Sequence, residues 1–240
     1  MNDSPSDSDK LAFFLKHAIT PSNKSVYSPP YDSPIEDAFA FNIVKYLEKG
    51  VELIPQYEVI TSRGKFILDF ILKTPNKEII AIECDGREYH DFFRDAFRDA
   101  FILKENDIDE IIRFTGKYIN YYFEACLFFM LKYHPELFSL KGLINIETLA
   151  EMKKVTIPFP DYNIDKKFGA EDVRIHCLKV NYEESYVEDP FQSILVIRRV
   201  KDGFQGWQRF YDFAIENSHI KNIDDLVKTY EENTREKWSN

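Results

Sequence analysis

Apolar residues recur at helical spacing in "SPIEDAFAFNIVKYLEKG", where Ile35, Phe39, Ile43 and Leu47 fall on one face. Ser33 is placed to cap this helix, Pro34 to open it and Gly50 to close it. The pattern then changes to β-rich runs. "VELIPQYEVI" (51–60), "KFILDFIL" (65–72) and "KEIIAIECD" (77–85) predict three strands, joined by the turns "TSRG" and "KTPN". Connections this short favour antiparallel pairing. "REYHDFFRDAFRDAFILKEN" returns to helical spacing, with Phe93, Phe97 and Phe101 on one face. "EIIRF" (110–114) predicts a strand and "KYINYYFEACLFFMLKYH" (117–134) an apolar helix. The predicted order is helix, three strands, helix, strand, helix, an α/β arrangement.

The flanking regions differ in character. Residues 1–8 are polar, 8–19 have the pattern of a short amphipathic helix, and "TPSNKSVYSPPYDSP" (20–34) has linker composition. Residues 1–32 are therefore expected to be a flexible segment and linker, with a folded domain at 33–134. Beyond Pro135, "LINIETLAEMKK", two strand-like runs ("EDVRIHCLKV", "FQSILVIRRV") and one or two helices after Gly206 predict an α+β region over 135–240. Either a second domain or an elaboration of the first would account for it.

Composition narrows the class of protein. Of 240 residues, 44% are apolar, including 21 Phe and 14 Tyr, enough to build a substantial core. No run approaches the ~18 apolar residues of a membrane span. The acidic start "MNDSPSDSDK" lacks the features of a secretory signal. Cys84, Cys126 and Cys177 stand singly, without a zinc or disulfide pattern. A reduced cytoplasmic protein is the expectation. A net charge of −10 argues against coating nucleic acid by charge alone. It permits an enzyme that reaches phosphate through a metal, or a partner subunit that supplies the basic surface.

Carboxylates interrupt the apolar strands. Asp69 lies in the second strand, and Glu83 and Asp85, two apart on the third, share a face. Burying such groups is costly unless a charge compensates them. Either they are surface acids at strand ends, with Asp85-Gly86 a turn, or they converge on a hard cation such as Mg²⁺ or Mn²⁺. On the following helix Asp91, Asp95 and Asp99 form one stripe and Arg94 and Arg98 the next, a spacing typical of solvated pairs. The C-terminal strands carry Lys and Arg near Trp207, Phe210 and Tyr211, which suits either nucleic-acid contact or a hairpin packed on a helix.

In that order, "SPIED", "PQYEV", "ILDF", "IECDGREYH", "RD" and "IIRF" resemble the PD-(D/E)XK, or restriction-endonuclease-like, nuclease superfamily. The nearest branch contains the very-short-patch mismatch repair endonucleases and their relatives, and the resemblance covers about residues 33–134. It implies a mixed sheet flanked by helices and an Mg²⁺- or Mn²⁺-dependent endonuclease acting on nucleic acid, DNA before RNA. Restriction, phage defence, repair and transposition are its settings. It implies that Asp69, Glu83 and the backbone carbonyl of Cys84 bind the metal. Glu36 would support the metal or its water, and its spacing from Ser33 equally makes a capping box. Gln56 would position the site. Asp85 stands where many members carry a lysine, and His90 would share that lysine's work on the attacking water. Asp95 and Arg98 match a helix pair of the branch. Arg98, with its neighbour Arg94, would contact phosphate or brace the acids, and Arg113 matches an Arg-Phe strand. The alternative is a degenerate nuclease fold that binds nucleic acid or a protein partner, as a subunit of a larger complex or a homo-oligomer.

Overall fold

The computed structural model describes residues 28–86, 92–156, 173–176, 179–182, 185–187, 194–199 and 207–238. The N-terminal segment to residue 27, including the helix expected at 8–19, lies outside these, as do His90, Asp91 and Cys177.

Helix α1 (Pro34–Ile43) leads into strands β1 (Glu52–Thr61), β2 (Gly64–Lys73) and β3 (Ile79–Asp85). Helix α2 (Phe92–Glu105) crosses to β4 (Glu110–Thr115). Helices α3 (Gly116–Tyr121), α4 (Phe123–Tyr133) and α5 (Leu140–Met152) follow, then the short strands β5 (Val155–Thr156), β6 (Val173–His176), β7 (Lys179–Tyr182) and β8 (Ser185–Val187). Strand β9 (Ile194–Arg198) and helices α6 (Gln208–Glu216) and α7 (Ile223–Trp238) complete the chain.

The main sheet has six strands in the order β1-β2-β3-β4-β9-β6, and β5-β7-β8 form a small second sheet. β3 and β4 are parallel and the other neighbours in the main sheet antiparallel. Its central strands are hidden on both faces, which explains the unbroken apolar runs of β3 and β4. The α/β class expected from the sequence is present, as a mixed sheet between helical layers. The sheet also continues past residue 134, because β9 pairs with β4 from Glu110↔Arg198 to Phe114↔Ile194.

One layer packs α1, α4 and α5 against Phe70, Ile82 and Phe114. Phe39 of α1 sits between Phe70 and Phe114, at ring distances of 5.5 and 5.9 Å. The other packs α2, α6 and α7 against Leu68, Ala81 and Ile111, with Phe97 meeting Phe210 at 5.2 Å.

Some local expectations are revised. The first helix stops at Ile43 rather than at Gly50. The backbone of residues 46–48 instead pairs with 137–139, through Glu48 N–H to the Leu137 carbonyl (2.8 Å) and Ser139 N–H to that of Tyr46 (3.0 Å). Leu47 is buried by this bridge rather than by a helix face. The apolar helix of 117–134 is two helices, broken at Tyr122, where φ is −137°. "EDVRIHCLKV" supplies two strands, β6 and β7, in different sheets.

Candidate functional site

The site is built around an irregularity shared by β1 and β2. Residues two apart in a strand normally share a face. Here Leu68 packs in the α2 layer and Phe70 in the α1 layer. On β1, Leu53 packs in the α1 layer and Tyr57 in the α2 layer. Both strands therefore reverse their faces at one level, while the register runs through unchanged from Pro55↔Phe70 to Tyr57↔Leu68. Gln56 and Asp69 are the residues left between. Gln56 has φ 49°, a left-handed conformation rare for a residue with a side chain inside a strand. Such strain costs on the order of 1–3 kcal/mol and clusters at functional sites.

The reversal buries Leu68 and Phe70 in opposite layers and turns Asp69 toward β3, where Oδ2 accepts the Cys84 N–H at 2.7 Å. The β2–β3 ladder ends at Phe70↔Ile82, one position short of Asp69 and Glu83. On its other edge β3 stays paired with β4 from Ile80 through Asp85. β2 and β3 part where the acids stand. Within an extended strand the N–H and C=O of one residue point to the same edge. The Cys84 carbonyl therefore faces the same gap as its N–H.

Glu36 enters from α1, one turn before the Phe39 anchor. Ser33 Oγ caps the helix by accepting the Glu36 N–H at 3.2 Å. The Glu36 carboxylate accepts from Gln56 Nε2 at 2.7 Å. The capping role and the site role thus use different atoms of one residue. From α2, Arg98 donates to both oxygens of Glu83, Nη2 at 2.6 Å and Nη1 at 3.4 Å. From β4, Arg113 donates to Asp99 through Nε (2.9 Å) and Nη2 (2.7 Å), and to Asp85 through Nη1 (3.1 Å).

The structure therefore brings together Glu36, Gln56, Asp69, Glu83, Cys84, Asp85 and Arg98. The Asp99–Arg113 pair was not foreseen. Asp99 was expected on a solvated stripe, yet it is wholly buried against Arg113. Its place beside the buried Ala100 and Phe101 was the available signal. Arg94 lies apart on the surface, 3.2 Å from Asp224. It lines a groove of about 670 Å³ with Arg63, Arg98 and Lys221, to which Asp95 and Asp224 also contribute. A separate group, Glu78, His134 and Glu136, lies near the opposite end of β3, its ligand-type atoms within 4.8 Å of one another. There the His134 ring spans Glu136 and the buried Glu110, each at 3.2 Å, a sufficient reason for its burial.

Four carboxylates (Asp69, Glu83, Asp85 and Asp99) thus gather around two guanidiniums, Arg98 and Arg113, with Glu36 next to Asp69. Burial holds the carboxylates at the centre of this cluster above their usual range. Burial pushes Glu83 up to about 7, outweighing the pull of Arg98 and Arg113. Burial also raises Asp69 and Glu36, with Asp69 adding repulsion at Glu36. An all-oxygen donor set short of positive charge fits a hard divalent cation.

This cluster has a measurable consequence in EDTA. Unfolded Glu loses its proton near 4.5, while folded Glu83 keeps it to about 7. Between those values the folded state binds more protons, so this group's stabilisation falls as pH rises. Below the window both states are protonated and nothing is lost. Above it the loss is complete, on the order of 3 kcal/mol for Glu83. Urea denaturation of wild type and Glu83→Gln from about pH 4 to 8, which brackets the window from 4.5 to about 7, will show the difference growing in favour of the variant. A pH-independent difference would refute the titration.

Compared with family models, with curated proteins and with solved structures, the chain matches none. Among the described residues no helix is long and apolar enough to cross a membrane.

Proposed function

We propose that the chain is a metal-dependent endonuclease that hydrolyses phosphodiester bonds, with DNA as its substrate and Mg²⁺ or Mn²⁺ as its ion. The observation that carries this reading is the gap between β2 and β3. Asp69 and Glu83 stand there one position past the last rung of the ladder, in surroundings with more buried acid than base. A surface turn would need neither the reversal of two strands nor the buried pairing of Arg98 and Arg113.

Asp69, Glu83 and the Cys84 carbonyl would hold the ion. When bound, the ion supplies Lewis acidity toward phosphate oxygens and a more acidic water. Gln56 fixes the Glu36 carboxylate beside Asp69, where it orients water through hydrogen bonds. Arg113 donates to Asp85 through Nη1 and directs it, and Asp85 is assigned to aligning the water. Proton acceptance is assigned to His90 on the strength of the resemblance. Attack on phosphorus forms the new P–O bond as the P–O bond to the leaving nucleotide breaks. The cation that many relatives place on the strand as lysine comes here from α2, as Arg98.

The second reading is a catalytically silent subunit that binds nucleic acid or a protein. Asp85 in place of the lysine favours it, as does Arg98 seated on Glu83. The purified chain should cleave DNA with Mg²⁺ or Mn²⁺ and be inert in EDTA. Single- and double-stranded DNA and RNA, assayed side by side, identify the substrate. Metal binding without cleavage of any of the four would select the second reading.

A further inference from the structure

We propose that Arg98 is an exchangeable internal counter-ion, which holds Glu83 while the site lacks a divalent cation and yields it when one binds. The released guanidinium turns into the adjoining groove, where a substrate phosphate would lie. The proposal rests on the nuclease reading and concerns the regulation of that same site.

The contacts of Arg98 are those of an occupant. Its guanidinium engages both Glu83 oxygens, at 2.6 and 3.4 Å. A divalent ion needs those lone pairs at roughly 2.0–2.6 Å and would repel a guanidinium on the same carboxylate. Nη2 also donates to the Ile67 carbonyl of β2 at 2.9 Å. Arg98 therefore bridges β2 and β3 beyond the end of their ladder, taking the place of the missing rungs.

The two guanidiniums of the site differ in freedom. Arg113 is 3% exposed and tied to Asp99 and Asp85. Arg98 is 19% exposed and belongs to the wall of the groove that also holds Arg63, Arg94 and Lys221. It can leave Glu83 by rotating its own side chain, without disturbing the core. Arg63 is committed elsewhere, donating to the Ala214 carbonyl at 2.9 Å and to that of Ile220. Exchange places the divalent charge between the acids and moves the single charge toward phosphate, the direction in which both attractions improve.

Mn²⁺ titration calorimetry without nucleic acid tests this on the full chain, using wild type, Arg98→Ala, Arg98→Lys and Asp69→Asn. If Arg98 competes with the ion, Arg98→Ala binds Mn²⁺ roughly tenfold more tightly, the effect of removing a competitor worth about 1.4 kcal/mol. Its cleavage rate at saturating Mn²⁺ nevertheless falls. Arg98→Lys, with its charge kept and its fork lost, lies between, and it carries the test should Arg98→Ala fail to fold. A purely structural clamp predicts the opposite sign, because Glu83 would lose its orientation. Unchanged or weaker Mn²⁺ binding in the folded variants overturns the exchange while leaving the metal site standing, provided Asp69→Asn abolishes wild-type binding. If wild type binds no Mn²⁺ at all, the nuclease reading falls together with the exchange.

Discussion

Asp69→Asn and Glu83→Gln will each lower divalent-dependent cleavage by on the order of a thousandfold or more. An ion bound at phosphate supplies several kcal/mol of transition-state charge stabilisation, and each ~1.4 kcal/mol lost is tenfold in rate. The two substitutions keep shape and remove charge. Asn can still accept the Cys84 N–H through its carbonyl oxygen, so the Asp69 anchor to β3 survives. Burial already holds the Asp69 carboxyl above its usual range, so removing its charge relieves repulsion within the cluster. Asp69→Asn is therefore expected to be at least as stable as wild type in EDTA while losing both cleavage and Mn²⁺ binding. Single-turnover rates with folding monitored in parallel make the test. Near-normal cleavage by either folded variant would remove these residues from the metal site, and the proposed mechanism with them.

Asp99→Ala is expected to be the most destabilising single change, at about 3–5 kcal/mol. Its carboxylate meets Arg113 through two hydrogen bonds in a fully buried setting, and both partners are inaccessible. Removing the acid leaves a guanidinium in the core whose remaining carboxylate partner among the described residues is Asp85. Replacing both partners, as Asp99→Leu with Arg113→Met, should recover most of the loss, because an apolar pair in the same space pays no desolvation penalty. The double variant should remain a poor nuclease even so. Without Arg113, Asp85 loses the donor that directs it, and turnover should fall more than substrate affinity. Chemical denaturation of the three variants and a comparison of kcat with KM for the double variant give the readouts. A cost below ~1 kcal/mol for Asp99→Ala, the range of an exposed pair, would show that the buried network does not hold this end of the sheet.

The sequence by itself determined the order of elements from α1 to the apolar segment after β4. Runs such as "KFILDFIL" and "EIIRF" have a local period and short turns, and these survive in any compact fold. The placement of Asp69 on the second strand and of Glu83 and Asp85 at the end of the third was equally legible, since alternation and hairpin length follow from neighbours in the chain. What those acids meet was decided by tertiary structure alone. A helical stripe shows which residues share a face, and it does not show what that face will touch. Spacing therefore puts Arg98 and Asp99 on solvated stripes, with the resemblance alone implying that Arg98 contacts phosphate or braces the acids, and long-range packing paired them with Glu83 and Arg113. The reversal at Gln56 and Asp69 has no local signature for the same reason. Regular alternation places Leu68 and Phe70 on one face, and only helical layers on both sides of the sheet reward burying them in opposite directions. Leu47 kept its apolar role but not its helix, because the 137–139 segment offered its neighbours' backbone groups another set of hydrogen bonds. Local sequence sets period and direction; partners separated by many residues are chosen by the energy of closing the core around them.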